Sequence, residues 1–385
     1  MLAKRILQLE PSATVAVDVR AKALKQKGIP IINAGVGEPD FPTPQNIKDA
    51  AIKAINDNFT YYTAPEGILP LREVIAKKLA TDNHIDYTPS QIVVGPSSKE
   101  VLYNAFQVLI NPGDEVLIAT PTWTTFSEQV KLAGGIPVFI SLRPPFKLTA
   151  ADVAQAITKR TKALLLNTPS NPTGAMIDRD ELEKIAELAV KHDFWILSDE
   201  IYEKIVHTAP HTSIASLGGD IKARTITSNG FSKTYSMTGW RIGYAAGPQE
   251  IMNGMKALQS QMVSCTSSIA QMAGIEALNG NQDEPQRYVE EFTKRRNMLF
   301  PLLQAIPGLG VTPAEGAFYA FISIEKVLNK KYPTSIAWCE ALLEQEKVAV
   351  VPGEAFLAPG YVRMSFAASE ADLREAVTRI KRFVL

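Results

Sequence analysis

From Ile92 onward, short apolar runs of β type alternate with longer stretches of helical period. That alternation marks βαβ units and confines the chain to an α/β architecture with a mainly parallel sheet. The clearest unit opens with the apolar run Ala163 to Leu166 and passes through a Pro- and Asn-rich loop, Thr168 to Gly174. It then offers Asp178 or Asp180 as a helix N-cap. Leu182, Ile185, Ala186 and Ala189 recur at i, i+3, i+4 and i+7, one apolar helical face, before the next run at Phe194 to Leu197. A second unit leads from Ile92 to Val94 through Ser97 and Ser98 into a helix. Its buried stripe is Leu102, Ala105, Phe106 and Leu109, and Asn111-Pro112-Gly113 stops it. There is no fixed-period repeat and no low-complexity tract.

At 385 residues the chain exceeds the roughly 250 to 300 at which one hydrophobic core stops growing, so a large and a small lobe are expected. Past about Asn279 the texture changes. A polar stretch, Gly280 to Gln286, precedes a basic helical segment with Lys294, Arg295 and Arg296, then short strands and a final amphipathic helix over Glu370 to Phe383. The expected division is a large domain over 45–284 and a smaller α+β domain assembled from 1–44 and 285–385.

Lys plus Arg and Asp plus Glu are equal at 40 each, so no overall field draws the protein to nucleic acid or to an anionic membrane. Anion binding must be local. Cys265 and Cys339 cannot staple a chain of this size and read as small buried hydrophobes in a reducing compartment. Met1 to Glu10 lacks the apolar run of a signal peptide, and no window approaches ~18 uninterrupted apolar residues; a cytoplasmic protein with no membrane span is expected. His84, His192, His207 and His211 show no metal-ligand spacing, so no metal is expected, and His207 and His211 read as polar surface residues of one loop. Gly35-Val36-Gly37 begins like a dinucleotide fingerprint, but Pro39 and Asp40 break the third glycine.

In open α/β sheets ligands bind beyond the carboxyl ends of the strands, so the informative residues are the polar ones that follow each β run. After Ile92 to Val94 come Ser97, Ser98 and Lys99; after Ala163 to Leu166 comes Ser170-Asn171-Pro172-Thr173-Gly174. After Phe194 to Leu197 comes Ser198-Asp199-Glu200-Ile201-Tyr202; after Arg224 to Thr227 comes Ser228-Asn229-Gly230-Phe231-Ser232-Lys233. A serine pair opening a helix presents free N–H groups and the positive dipole end to an anion, although plain N-capping also accounts for it. Singly, Asp199 could be a cap and Lys233 a solvated lysine.

The ordered set Asn-Pro-Thr-Gly, Ser-Asp-Glu-Ile-Tyr, Ser-Lys and Thr238-Gly239-Trp240-Arg241-Ile242-Gly243 resembles the fold-type I aminotransferases that depend on pyridoxal 5′-phosphate. The resemblance extends from Pro11-Ser12-Ala13-Thr14 and Gly37-Glu38-Pro39-Asp40-Phe41 to Val362-Arg363. It is nearest the bacterial aspartate aminotransferases. It implies the fold-type I architecture and a ping-pong Schiff-base transfer of an amino group between an acidic amino acid, aspartate or glutamate, and a 2-oxo acid. Lys233 would carry the cofactor and shuttle the α-proton, Asp199 would keep the ring nitrogen protonated, and Asn171 and Tyr202 would meet the 3′-oxygen. Ser97, Ser98 and Arg241 would hold the phosphate, with Ser232 a weaker candidate, and Trp123 would stack on the ring. Arg363 matches the arginine that grips the substrate α-carboxylate, with the Gly37 backbone close by and Asn171 beside it.

Tyr62 matches a phosphate-binding tyrosine lent by a second subunit, with Tyr61 adjacent, so a homodimer with shared sites is implied. Lys99 matches the lysine that meets a distal carboxylate, assisted by Ser12 and Thr14 from the N-terminal arm. Gly230 departs from relatives that carry a phosphate-binding Ser at that place. Prephenate or broader aromatic and neutral substrates, or β-elimination on the same cofactor, stand as alternatives, because only the substrate pocket decides the fate of the carbanion. A cofactor-sensing regulator would need a DNA-binding segment for which the chain has no basic patch.

Overall fold

The computed structural model describes residues 2–10 and 13–385. Its strands, in chain order, are β1 (Ile32–Asn33), β2 (Ile92–Gly95), β3 (Glu115–Thr120), β4 (Ile136–Ser141), β5 (Thr161–Asn167), β6 (Trp195–Asp199) and β7 (Thr225–Gly230). They continue with β8 (Gly243–Ala246), β9 (Gly310–Val311), β10 (Tyr319–Ser323), β11 (Val348–Ala349), β12 (Val351–Pro352) and β13 (Tyr361–Ser365). Strands β2 to β8 form one seven-stranded sheet in the order β2-β8-β7-β6-β5-β3-β4, parallel throughout except for β8, which is reversed against both neighbours. Strands β2, β3, β5 and β6 carry buried apolar runs without strict alternation, as expected of strands covered on both faces, whereas β7 is buried but largely polar and the edge strand β4 is buried only at Ile140.

The βαβ reading of the sequence is realised closely. Ser98–Leu109 and Arg179–His192 are helices, and every residue of the two expected apolar stripes is buried. Asp178 holds the N-cap position of the second, with Asp180 inside its first turn. Two boundaries move. β7 extends through Gly230, so Ser228 and Asn229 belong to the strand rather than to the loop after it. The helix expected only from the basic segment begins earlier, at Asp283, inside the polar stretch, where Asp283 and Glu284 suit its positive end.

A second sheet, β12-β13-β10-β9, is antiparallel, and β1 pairs with β11 beside it. Its core gathers Phe292, Phe300, Phe318, Phe366 and the buried face of the C-terminal helix Glu370–Val384. The same cluster takes in Ile201, Tyr202 and Ile205, from just past the end of β6. The two sheets therefore meet at the carboxyl edge of the large one.

Candidate active site

Four polar groups arrive at that edge because four strands end there. β2 ends at Gly95, and Ser97 then caps the helix Ser98–Leu109, its Oγ accepting from Glu100 N at 3.2 Å. β5 ends at Asn167 and β6 at Asp199, and these two residues are register partners. β7 ends three residues before Lys233. The reversed strand β8 contributes its beginning instead of its end, which brings Arg241, two residues upstream of Gly243, to the same edge. Gly243 is required there: a Cβ would lie 2.3 Å from Ser98 N and 2.5 Å from the Ser97 carbonyl carbon. Glycine thus lets the Ser97–Ser98 helix start sit directly on β8. At Gly230 a Cβ would meet Gly243 Cα at 3.1 Å, so a side chain at the place where relatives carry Ser would press on that same strand.

The edge opens into a cleft of ≈ 340 Å³ lined by twelve of the sequence candidates: Gly37, Ser97, Ser98, Lys99, Trp123, Asn171, Asp199, Tyr202, Ser232, Lys233, Arg241 and Arg363. Tyr62 lies outside it and is 90% exposed, with Tyr61 80% exposed beside it. Ser12 falls outside the described residues, and Thr14 lies in the helix Ala13–Gln26 without a described side chain.

Within the cleft, Lys233 Nζ donates to Gly37 O at 2.5 Å. Burial, opposed by the charge of Glu38 and reinforced by Arg363 and Arg241, pulls its amine down to about 8. A fraction of this lysine is therefore neutral near physiological pH, the form that can attack a carbonyl carbon. Asp199 is 4% exposed, and burial pushes its carboxyl up to about 7. Its contacts are long: Asn167 Nδ2 donates to Oδ2 at 3.2 Å and Ile201 N to Oδ1 at 3.4 Å. A cationic N–H facing this carboxylate would restore the ionised form that burial disfavours.

Arg363, on β13, is 3% exposed; Nη1 donates to Asn171 Oδ1 and Nη2 to Gly35 O, each at 2.8 Å. Its Nε is buried without a partner. A guanidinium held from behind, with a donor unspent, is preorganised for a carboxylate. Trp123 lines the cleft with Lys99 Nζ 4.5 Å from its ring centroid. Partial burial, followed by the charge of Arg241, lowers the Lys99 amine from its ordinary value. Arg241 is exposed, and its Nη1 donates to Thr238 O at 2.8 Å.

Sequence reasoning missed Tyr319, Asn167 and Glu38, which line the same cleft. Asn167 obeys the strand-end rule and could have been found by it; Tyr319 sits at the start of a strand in the other sheet, where that rule says nothing. Two expectations need correcting. His207 is not a surface residue: its Nδ1 pairs with Thr293 Oγ1 at 2.8 Å and its Nε2 with Ala317 O at 2.7 Å, and burial lowers it to about 4. His211 is half-buried beside the carboxylates of Glu200 and Glu203. Cys339 is buried as expected, but Cys265 is only half-buried, its sulfur accepting from Thr63 N at 3.4 Å.

Of the ionisable side chains lining the cleft, Lys99, Lys233, Arg241 and Arg363 outnumber Glu38 and Asp199, so it is built for anions. Pyridoxal phosphate with an amino-acid substrate fits that balance: two or more anionic groups for the cations, a pyridinium nitrogen for Asp199 and a carbonyl carbon for Lys233. Among the described residues, no helix is long and apolar enough to cross a membrane.

A family model described as aminotransferase class I and II matches residues 29–380. An aspartate aminotransferase of Bacillus sp. (strain YM-2) is 46% identical, covering 100% of this chain and 99% of that protein. Another, from Geobacillus stearothermophilus, is 47% identical, covering 100% and 98%. Among solved structures, the Thermus thermophilus aspartate aminotransferase with maleate shares the fold at a TM-score of 0.95 and 41% identity, with 100% of each chain covered.

Proposed function

We propose, from the premise that this chain belongs to the class I and II aminotransferases, that it transfers the amino group of aspartate or glutamate to a 2-oxo acid at the cleft around Lys233. It is an enzyme that uses pyridoxal 5′-phosphate. When bound, that cofactor supplies an electron-poor ring conjugated to a carbonyl carbon, which takes up the electron pair left when a substrate loses its α-proton.

The observation that carries the site assignment is the convergence of Lys233, Asp199 and Arg363 on one cleft from three different strands or strand ends. Lys233 would hold the cofactor covalently, be released as a free amine by substrate, and move the proton between the substrate Cα and the cofactor's C4′. The depressed basicity of its amine suits it to both roles. Asp199 would hold the ring nitrogen protonated. Asn171 and Tyr202 would meet the 3′-oxygen, and Trp123 would stack on the ring. Ser97, Ser98 and Arg241 would hold the phosphate on the N-terminus of the helix Ser98–Leu109, with Ser232 adjacent.

Arg363 would take the α-carboxylate in a fork that fixes the Cα–H bond relative to the ring, next to the Gly37 backbone. Lys99 would meet the distal carboxylate, with Ser12 and Thr14 closing from the N-terminal arm. Maleate, seen with the Thermus relative, is likewise a dicarboxylate.

In the same reading, 45–284 forms the large cofactor-binding domain, and 1–44 with 285–385 forms the arm and small domain. Two chains would pair to lend Tyr62 to each other's phosphate site. The exposure of Tyr61 and Tyr62 supports pairing, as does that of Met262 and Val263, which precede the Cys265 that Thr63 touches.

Borohydride reduction of the holoenzyme followed by peptide mapping is expected to place the phosphopyridoxyl group on Lys233, and aspartate with 2-oxoglutarate to yield glutamate. Label on Lys99 would overturn the assignment of the lysine. Pyruvate and ammonia released from a cysteine-type substrate, without glutamate from aspartate, would replace transfer by elimination.

A further inference from the structure

We propose that Tyr319 is a positioning residue for the cofactor's 3′-oxygen: its hydroxyl donates to that of Tyr202 and links the lobe carrying Arg363 to the phenol facing that oxygen. The inference rests on the reading of the cleft given above. The two hydroxyl oxygens are 2.7 Å apart, and neither has another hydrogen-bond partner among the described residues. Each phenol has one proton. Once Tyr202 spends its proton on a cofactor oxygen, the proton on the 2.7 Å contact must come from Tyr319. A phenol that accepts a hydrogen bond is polarised into a stronger donor, so the effect of Tyr319 passes through Tyr202.

The geometry ties this hydroxyl to the substrate end of the cleft. Tyr319 opens β10 and Arg363 lies on β13, where Phe321 pairs with Arg363 and Tyr319 with Ser365. Two-residue spacing on both strands puts Tyr319 and Arg363 on one face. The Arg363 guanidinium sits 4.3 Å from the Tyr319 ring centroid. Opposite, a Cβ on Gly37 would stand 2.9 Å from the Tyr319 hydroxyl, so glycine there leaves that hydroxyl its place. Tyr319 thus adjoins Gly37, Arg363 and Tyr202 while being 1% exposed.

The charged groups facing the pair are Arg363 from β13, Asp199 from β6, and Lys233, whose Nζ is 5.9 Å from the Tyr202 ring centroid. Burial is the largest influence on both phenols and raises both above the ordinary tyrosine value, which keeps the proton needed for the relay on Tyr319 at neutral pH. Packing under Arg363 alone would need only the ring, which Phe retains.

The test is a pH titration of the bound cofactor's absorbance in the wild-type holoenzyme, Tyr319→Phe, Tyr202→Phe and the double variant. The high-pH form concentrates more negative charge on the 3′-oxygen, so weakening its donor raises the midpoint. Tyr319→Phe is expected to raise it by about half a pH unit, the scale of one neutral hydrogen bond. Tyr202→Phe should raise it at least as far, and the double variant should match Tyr202→Phe alone. An unchanged midpoint in Tyr319→Phe overturns the proposal, as does a Tyr319→Phe shift that persists in full on the Tyr202→Phe background. Reductive trapping separates the two levels: no label on Lys233 in the wild type overturns the cleft reading and the inference with it. Label on Lys233 with an unshifted midpoint overturns only the role of Tyr319.

Discussion

Lys99 shows how much one side chain can decide within a shared chemistry. Its amine lines the cleft 4.5 Å from the Trp123 ring centroid, and among the described residues it pairs with no carboxylate. A cation at the first turn of a helix is in an unfavourable field unless an anion faces it. Lys99→Ala is therefore expected to lower kcat/KM for aspartate about 10- to 100-fold, the scale of one charged hydrogen bond, and to leave an apolar amino acid unaffected. Steady-state kinetics on the two donors check this; an equal loss on both would remove the acidic-specificity argument and leave the aminotransferase intact. Lys99, Asp199, Asn171 and Lys233 were legible because each follows an apolar run within a few residues of a recognisable motif. Tyr319 was not, since nothing local distinguishes a functional tyrosine in Phe318-Tyr319-Ala320-Phe321 from its core neighbours.

At the scale of elements, the loop after β6 must be held so that Asp199 and Tyr202 keep their aim. Part of that hold comes from the helix Leu69–Asn83, whose buried Lys78 pairs with Glu203 while Asn83 Nδ2 donates to the other carboxylate oxygen. Burial alone would raise the Glu203 carboxyl, but Lys78, His211 and Asn83 outweigh it and hold it at about 2. Its folded pKa is below the unfolded value, so the pair's stabilisation is present above about pH 4.5 and is lost as pH falls through about 2. Lys78→Met should cost about 3 kcal/mol at neutral pH by leaving a buried carboxylate unpaired, and Lys78→Met with Glu203→Leu should recover most of it. Denaturant unfolding at pH 7 and near pH 3 reads both effects; a cost that does not shrink on acidification would place its origin elsewhere. The helices and parallel strands were legible from period and apolar runs, whereas the reversal of β8 was not. Gly243-Tyr244-Ala245-Ala246 reads the same in either direction, and its neighbours decide it.

At the scale of the whole molecule, a single chain leaves Arg241 exposed at the cleft and Tyr62 90% exposed outside it. If two chains share sites, mixing inactive Lys233→Ala with a Tyr62→Ala chain should give hybrid dimers with one complete site. That site combines the Tyr62→Ala chain's Lys233 with the partner's tyrosine. Activity approaching half that of the wild-type dimer is expected in purified hybrids, and activity no greater than the mean of the parents would mean that each chain serves its own site. The sequence by itself determined the α/β class, the order of the units and the chemical inventory at the strand ends, because periodicity and short motifs are local properties of the chain. Only the tertiary structure decided that Asn167 reaches Asp199, that Tyr319 reaches Tyr202 and that Arg363 backs onto Asn171. Those contacts join residues 32, 117 and 192 positions apart. They depend on strand register and on how one sheet lies against the edge of another, which no local pattern encodes.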